Sequence, residues 1–230
     1  MEISYCTLED VGGRVGTVVV IDVIRAYTTA AVALAAGAGP YELVGTLEEA
    51  YARRAADPAV RLLGEVDGLT AEGFDHGNSP VALEGIDLTG VPIVHRSSAG
   101  TQGVVRAASA ERVLTGSFAV AGATASALSG ESAVSFCITG ADAARDGEED
   151  RACAEYIAAL LVATRDGGRP EVDPSPYLAR VRASTAAQLF VSGAHPDRPP
   201  ADIPFVQVVD RFDFAMEVRT VGGRHLLHRV

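Results

Sequence analysis

The amino-acid sequence predicts an α/β fold: three layers, with a largely parallel sheet between two sets of helices. Three observations lead there. Short runs rich in valine and isoleucine alternate with longer Ala/Leu-rich segments, the rhythm of strand–helix–strand units. At 230 residues the chain is long enough to bury both faces of such a sheet. Polar side chains gather just after the β-rich runs, at the edge where open α/β sheets bind ligands.

Residues 17–23, Thr-Val-Val-Val-Ile-Asp-Val, are the first predicted strand, apolar on both sides as a covered strand must be. Residues 28–38 follow as a helix of small side chains, then residues 41–44 as a short strand. Thr46, Leu47, Glu48 and Glu49 form a capping box, which predicts a helix running to about residue 56. Further strands are expected at 60–63, 91–94, 112–114 and 133–138, with helices at 101–108, 118–129 and 148–164. Ser79 and Pro80 read as the N-cap and first residue of another helix. Beyond Gly167 the rhythm loosens: a proline-punctuated connector at 170–176, a helix at 177–191, an irregular stretch at 194–204, and late strands at 205–209 and 216–221. Gly12-Gly13 and Gly222-Gly223 read as hairpin turns. Residues 1–230 are taken as one unit; a division into two α/β lobes near residue 125, with the site between them, has no repeat or linker to mark it.

Thirty acidic residues against 19 basic give a formal charge of −11, which argues against a broad nucleic-acid footprint. All 19 basic residues are arginine. The absence of lysine excludes a P-loop and lysine Schiff-base chemistry. Asp22 is followed by Val23 and Ile24 rather than by the Asp-x-Asp of the haloacid dehalogenase type, which also requires a lysine. Cys6, Cys137 and Cys153 are odd in number and scattered, as expected in a reducing cytoplasm. No apolar run is long enough to span a bilayer, and no secretion signal is visible. The expected setting is therefore cytoplasmic, with no membrane or nucleic-acid partner, and a homodimer is the default assembly.

Asp22 and Arg25 follow the first strand, with Thr28 in the helix it enters. Glu65 follows the strand at 60–63 and leads into Glu72-Gly73-Phe74-Asp75-His76-Gly77-Asn78-Ser79-Pro80, more polar than a turn requires. Glu65 and this loop offer hard oxygen donors of the kind magnesium prefers. Arg96, Ser97, Ser98, Gly100 and Thr101 follow the strand at 91–94; small residues opening a helix suit an oxyanion, though an ordinary turn has the same composition. After the strand at 133–138 come Asp142, Arg145 and the acids Glu148, Glu149 and Asp150. His225 and His228 have nothing nearby to complete a zinc site.

Asp22 to Thr29, Gly64-Glu65, and Gly73-Phe74-Asp75-His76-Gly77-Asn78-Ser79-Pro80 resemble the 2-phosphosulfolactate phosphatase (ComB) family in order, spacing and overall length. The resemblance implies an α/β fold and magnesium-dependent hydrolysis of (R)-2-phospho-3-sulfolactate to 3-sulfolactate and phosphate, a step of coenzyme M synthesis in methanogens. Two departures stand out. The family's usual Gly-Glu-Arg-Gly-Gly is Gly64-Glu65-Val66-Asp67-Gly68 here, and its Thr-Thr-Asn-Gly-Thr is Ser97-Ser98-Ala99-Gly100-Thr101. A charge-assisted contact contributes about 1.5–3 kcal/mol, so an arginine replaced by Val66 bears on the substrate.

The expected site places Mg²⁺ among Glu65, Asp75 and either Asp22 or Asp150, with Asp22, Arg25 and Asp75 as the catalytic set. Arg25 is the expected phosphate clamp and Arg96 a second cation; Ser97, Ser98, Gly100 and Thr101, aided by Thr28, Asn78 and Ser79, hold the small anionic phosphorylated metabolite. The nucleophile is a metal-bound water or, alternatively, Asp22 through an aspartyl-phosphate. An anion-binding protein on the same scaffold and a phosphatase for another phosphorylated hydroxy acid are the rival readings.

Overall fold

Thr17, Val18, Val19, Val20 and Ile21 are all buried, and that continuous burial fixes them as an interior strand with both faces covered. The computed structural model describes residues 1–141, 146–165 and 171–230; the expected site positions Asp142 and Arg145 lie outside them. In chain order the elements begin with β1 (Glu2–Thr7), β2 (Thr17–Ile21), α1 (Ala26–Ala35), β3 (Tyr41–Val44) and α2 (Leu47–Ala56). Next come β4 (Arg61–Val66), β5 (Leu69–Thr70), α3 (Pro80–Leu83), β6 (Ile93–Arg96), α4 (Gly100–Arg106) and β7 (Arg112–Gly116). The chain continues through α5 (Ala121–Ala127), β8 (Ala133–Ile138), α6 (Glu148–Arg165), α7 (Ser175–Ala183), α8 (Thr185–Val191), α9 (Asp202–Val206), β9 (Met216–Val221) and β10 (Arg224–Arg229).

The strands form one ten-stranded mixed sheet in the order β1-β8-β2-β7-β9-β10-β3-β6-β4-β5. It contains two parallel blocks. β1, β8, β2 and β7 are parallel to one another, as are β3, β6 and β4. The β9–β10 hairpin joins the blocks through antiparallel pairings of β7 with β9, β9 with β10, and β10 with β3. Three reversals leave the two blocks pointing in opposite directions. In a flat sheet their carboxyl ends would lie on opposite edges. β2 and β6 are five strands apart in the order, however, and a twist of about 20–25° per step rotates one against the other by roughly 100–125°. Twist thus turns the carboxyl ends of both blocks toward one crevice.

Helix α1 shows why the layers close. Nine of its residues, Ala26 through Leu34, are buried, as expected for a helix apolar all round. Its alanines and threonines allow close approach of the sheet, α3 and α4. Two apolar clusters lie on either side of the sheet: Val18, Val20, Tyr27 and Leu63 belong to one, Val19, Ile21, Phe136 and Ile157 to the other. The three cysteines are buried and free.

The Thr46/Glu49 capping box forms, as do the Ser79 cap with Pro80 at the first helical position and the Gly222-Gly223 hairpin. Other expectations are corrected. Residues 205–209 are not a strand: Asp202 and Pro204 occupy a first turn, where both residue types are favoured, and α9 starts there. The helix expected at 177–191 is two helices, because Ser184 is extended and its hydroxyl accepts from the Ala187 amide to cap α8. Gly12-Gly13 lies in a 3₁₀ turn rather than a hairpin. Strand β1 was not anticipated; it pairs in parallel with β8 alone, at the sheet edge. Among the described residues no helix is long and apolar enough to cross a membrane.

Candidate active site

The crevice holds a cavity of about 440 Å³. Asp22, Ile24 and Arg25 line it from the turn after β2, Glu65, Asp67 and Gly68 from the end of β4, and Ser98 and Ala99 from the end of β6. Asn78 contributes from the polar loop. The remaining wall comes from late in the chain: Ala186, Leu189 and Phe190 on α8, then Arg198.

Asp22 leaves β2 at the first turn of α1, and its Oδ1 accepts from the Ala26 amide at 2.9 Å, a cap of the next helix. Its Oδ2 faces α4; a β-carbon placed on Gly100 would sit 2.8 Å from it. The Tyr27 hydroxyl donates to the Gly100 carbonyl at 2.6 Å and ties α1 to the start of α4. Burial, then the charge of Asp22, pushes the Tyr27 phenol well above its usual range. It serves as a donor rather than an acid.

Arg25 is buried. Its Nη1 donates to Asp202 Oδ2 at 2.8 Å and to the Asp197 carbonyl at 2.7 Å, and the guanidinium lies 4.8 Å above the Phe190 ring. Asp202 Oδ1 accepts from the Ser79 hydroxyl at 2.8 Å and the Val81 amide at 3.3 Å. One buried carboxylate therefore fastens the arginine after β2 to the loop before α3.

Glu65 faces the cavity, yet both carboxylate oxygens accept backbone amides at 2.5 Å, Oε1 from Ser98 and Oε2 from Gly68. Gly64 just before it has φ +137°, and a β-carbon there would come 1.8 Å from the Arg96 carbonyl. Only glycine permits that approach of β4 to β6. Asn78 is 4 % exposed, and among the described residues its Oδ1 has no hydrogen-bond partner. That is a bare oxygen on a polar cavity.

Behind the turn after β2 lies a second acidic group. Asp150 Oδ1 accepts from the Val23 amide at 2.8 Å, and Oδ2 accepts from the Gly140 amide and the Thr139 hydroxyl at 2.7 and 3.1 Å. Burial, then the charges of Glu149 and Asp22, raises Asp150 well above the carboxylate range. Glu149 is pushed up to about 7, first by burial and then by Asp22 and Asp146, with its own amide and Ser184 opposing. Glu149 Oε2 is buried without a partner among the described residues.

Asp22, Arg25, Glu65, Asn78 and Ser98 thus meet around one cavity. The other expected site residues do not line it. Asp75 is turned toward α2, where its carboxylate pairs with Arg54 and accepts the Leu62 amide at 2.8 Å. Residues 75–76 dock on β4 through a bridge between His76 and Leu63, so the loop is polar partly because it is stitched to a strand. Thr28 donates to the Val23 carbonyl from inside α1. Ser97 and Thr101 are buried and bond to each other's amides, a local cap. Gly100 is buried against Ala26 and Asp22, Ser79 serves Asp202, and Arg96 Nη1 holds the Glu65 carbonyl and the Ser98 hydroxyl. The ligand set of Glu65, Asp75 and Asp150 is not assembled, because each carboxylate is committed to separate donors. Among the described residues no three His, Cys, Asp or Glu side chains cluster as a metal site. Phe190, Arg198 and Asp202 were missed: they follow the rhythm's end, in stretches whose composition carries no site signal.

The family model of 2-phosphosulpholactate phosphatase matches residues 6–188. The chain belongs to the 2-phosphosulpholactate phosphatase family. A relative in Bacillus subtilis (strain 168), called a probable 2-phosphosulfolactate phosphatase, is 30 % identical over 213 residues, which is 92 % of this chain and 91 % of that one. Relatives of the same name in Deinococcus radiodurans and Carboxydothermus hydrogenoformans are 40 % and 38 % identical, over 64 % and 63 % of this chain and 62 % and 60 % of their own lengths. The family match ends at residue 188, so Leu189, Phe190 and Arg198 complete the cavity from outside it, and Asp202, also outside it, holds Arg25 from behind.

Proposed function

We propose that the chain is a phosphoric monoester hydrolase that converts 2-phospho-3-sulfolactate and water to 3-sulfolactate and phosphate, with magnesium as its cofactor. The observation that carries this reading is the meeting of Asp22, Arg25 and the unpartnered Asn78 Oδ1 on one cavity. That volume falls within the range of small-molecule sites. Family membership supports the choice of substrate.

The lining carries three carboxylates, Asp22, Glu65 and Asp67, against two guanidiniums, Arg25 and Arg198. An anionic phosphate ester entering that field needs a further positive charge. Asp22 and Asn78 are hard oxygen donors suited to Mg²⁺, which binds through one or two carboxylates together with water and substrate phosphate. When bound, Mg²⁺ would neutralise phosphoryl charge and lower the pKa of water. Arg25, held by Asp202 and Phe190, presents a fixed guanidinium to the phosphoryl oxygens at no cost of reorganisation. Asp22 takes a proton from the attacking water as its oxygen bonds to phosphorus; the phosphorus–ester oxygen bond breaks, and the leaving oxygen takes a proton from solvent water to become the 2-hydroxyl of 3-sulfolactate. Glu65 positions the Ser98 and Gly68 amides that shape the wall.

Phosphate release is measured from a panel of phosphorylated hydroxy acids, with magnesium and after chelation. Fastest release from 2-phospho-3-sulfolactate, lost with EDTA and restored by magnesium, is expected. Ligand-induced thermal stabilisation without release of phosphate would replace the hydrolase by an anion-binding protein; release unaffected by chelation would remove magnesium.

A further inference from the structure

The two arginines of the cavity are held differently. Arg25 is neutralised at 2.8 Å by Asp202. Arg198 has no carboxylate within ion-pair distance among the described residues, and its Nη2 donates to a neutral group, the Asp67 carbonyl, at 2.8 Å. Its guanidinium lies against Gly68, where a β-carbon would come 2.9 Å from Nη2 and 3.0 Å from Nε. Gly68 has φ +81°, so one glycine both makes the turn and leaves the seat for that guanidinium. Arg198 is half-buried, and the turn before it closes through its amide and the His195 carbonyl at 3.0 Å. The cation is therefore fixed at one end and open at the cavity.

We propose that Arg198 is the specificity-determining residue of this site and binds the sulfonate, the strong-acid group of the substrate that does not react. This deepens the reading of the site as one for 2-phospho-3-sulfolactate and rests on it. Three properties favour that division of labour. The phosphoryl group belongs beside Asp22 and Arg25, where the reacting groups are buried. The substrate carries its sulfonate on the next carbon, away from the bond that breaks. A planar guanidinium offers two parallel donors to a sulfonate as it does to a carboxylate or phosphate. Arg198 also packs on the short turn that follows Glu65, through Gly68 and the Asp67 carbonyl. A cation from outside the family match thus serves that turn.

The test compares wild type with Arg198→Met, which keeps length without charge, and Arg198→Lys, which keeps charge without the fork. The ratio of kcat/KM for 2-phospho-3-sulfolactate to that for 2-phospholactate, which lacks the sulfonate, is expected to fall roughly 10- to 100-fold in Arg198→Met, mainly through KM, and to recover in part in Arg198→Lys. Circular dichroism and Tm report folding of each variant. An unchanged ratio, or an equal loss on both esters, would overturn the assignment. Calorimetric binding of 3-sulfolactate and of lactate separates this from the hydrolase reading. If wild type releases no phosphate yet binds 3-sulfolactate through Arg198, the hydrolase reading fails and Arg198 stands; if 3-sulfolactate binds wild type and Arg198→Met alike, or neither, Arg198 fails.

Discussion

The ion pair of Arg25 and Asp202 allows structure and function to be separated by substitution. Its side chains are 3 % and 0 % exposed, and the N···O distance is 2.8 Å. Asp202→Ala leaves the guanidinium buried with only carbonyl partners, and removing one member of such a pair costs about 3–5 kcal/mol. The Ser79 hydroxyl and Val81 amide also lose their acceptor, and a typical lost hydrogen bond adds about 1 kcal/mol. A domain stable by about 5–15 kcal/mol would then be marginal or nearly so. Replacing both charges, Arg25→Met with Asp202→Leu, removes the unpaired charge, and such exchanges are often neutral or stabilising. The expected pattern is a large fall in urea midpoint for Asp202→Ala, recovery in the double variant, and little phosphate release from either. Circular dichroism is the appropriate probe, since the chain has no tryptophan. A midpoint unchanged in Asp202→Ala would show that the pair is not a buried strut. Full turnover in the double variant would show that Arg25 does not bind the anion.

Glu149→Gln is expected to stabilise the protein above neutral pH. The folded carboxyl is raised from 4.5 to about 7, chiefly by burial, so the unfolded chain ionises first and stability falls as pH rises through that interval. A displacement of this size corresponds to about 3 kcal/mol. Wild type and variant should converge below about pH 4.5 and diverge above about 7; parallel profiles in pH-dependent urea melts would contradict the assignment. Asp75→Asn is expected to keep phosphate release near wild type and to cost at most about 1 kcal/mol, because its ion pair with Arg54 is 26 % and 29 % exposed. Activity abolished in a folded Asp75→Asn protein would return that residue to the site.

Local patterns made several features legible. β-branched runs identified the interior strand, the Thr46/Glu49 spacing its helix, and Ser79-Pro80 the start of α3. Asp22 and Arg25 were expected beyond a strand end, where ligands bind in this class of fold, and both line the cavity. Polarity misled at Asp75 and Thr101. A carboxylate that pairs with Arg54 and a hydroxyl that caps a helix look the same in a sequence as ones that meet a substrate.

The sequence by itself determined the family, the alternation of strands and helices, and the residues that leave β2, because each depends on neighbours within a few positions or on a motif. Only the tertiary structure decided which polar groups share a cavity. Three antiparallel pairings reverse one block of strands, and accumulated twist returns its carboxyl ends to the other block. Phe190 and Asp202 reach Arg25 across more than 160 residues, and Arg198 joins Phe190 in the cavity wall. Such contacts follow from chain topology and packing, for which no local periodicity provides a sign.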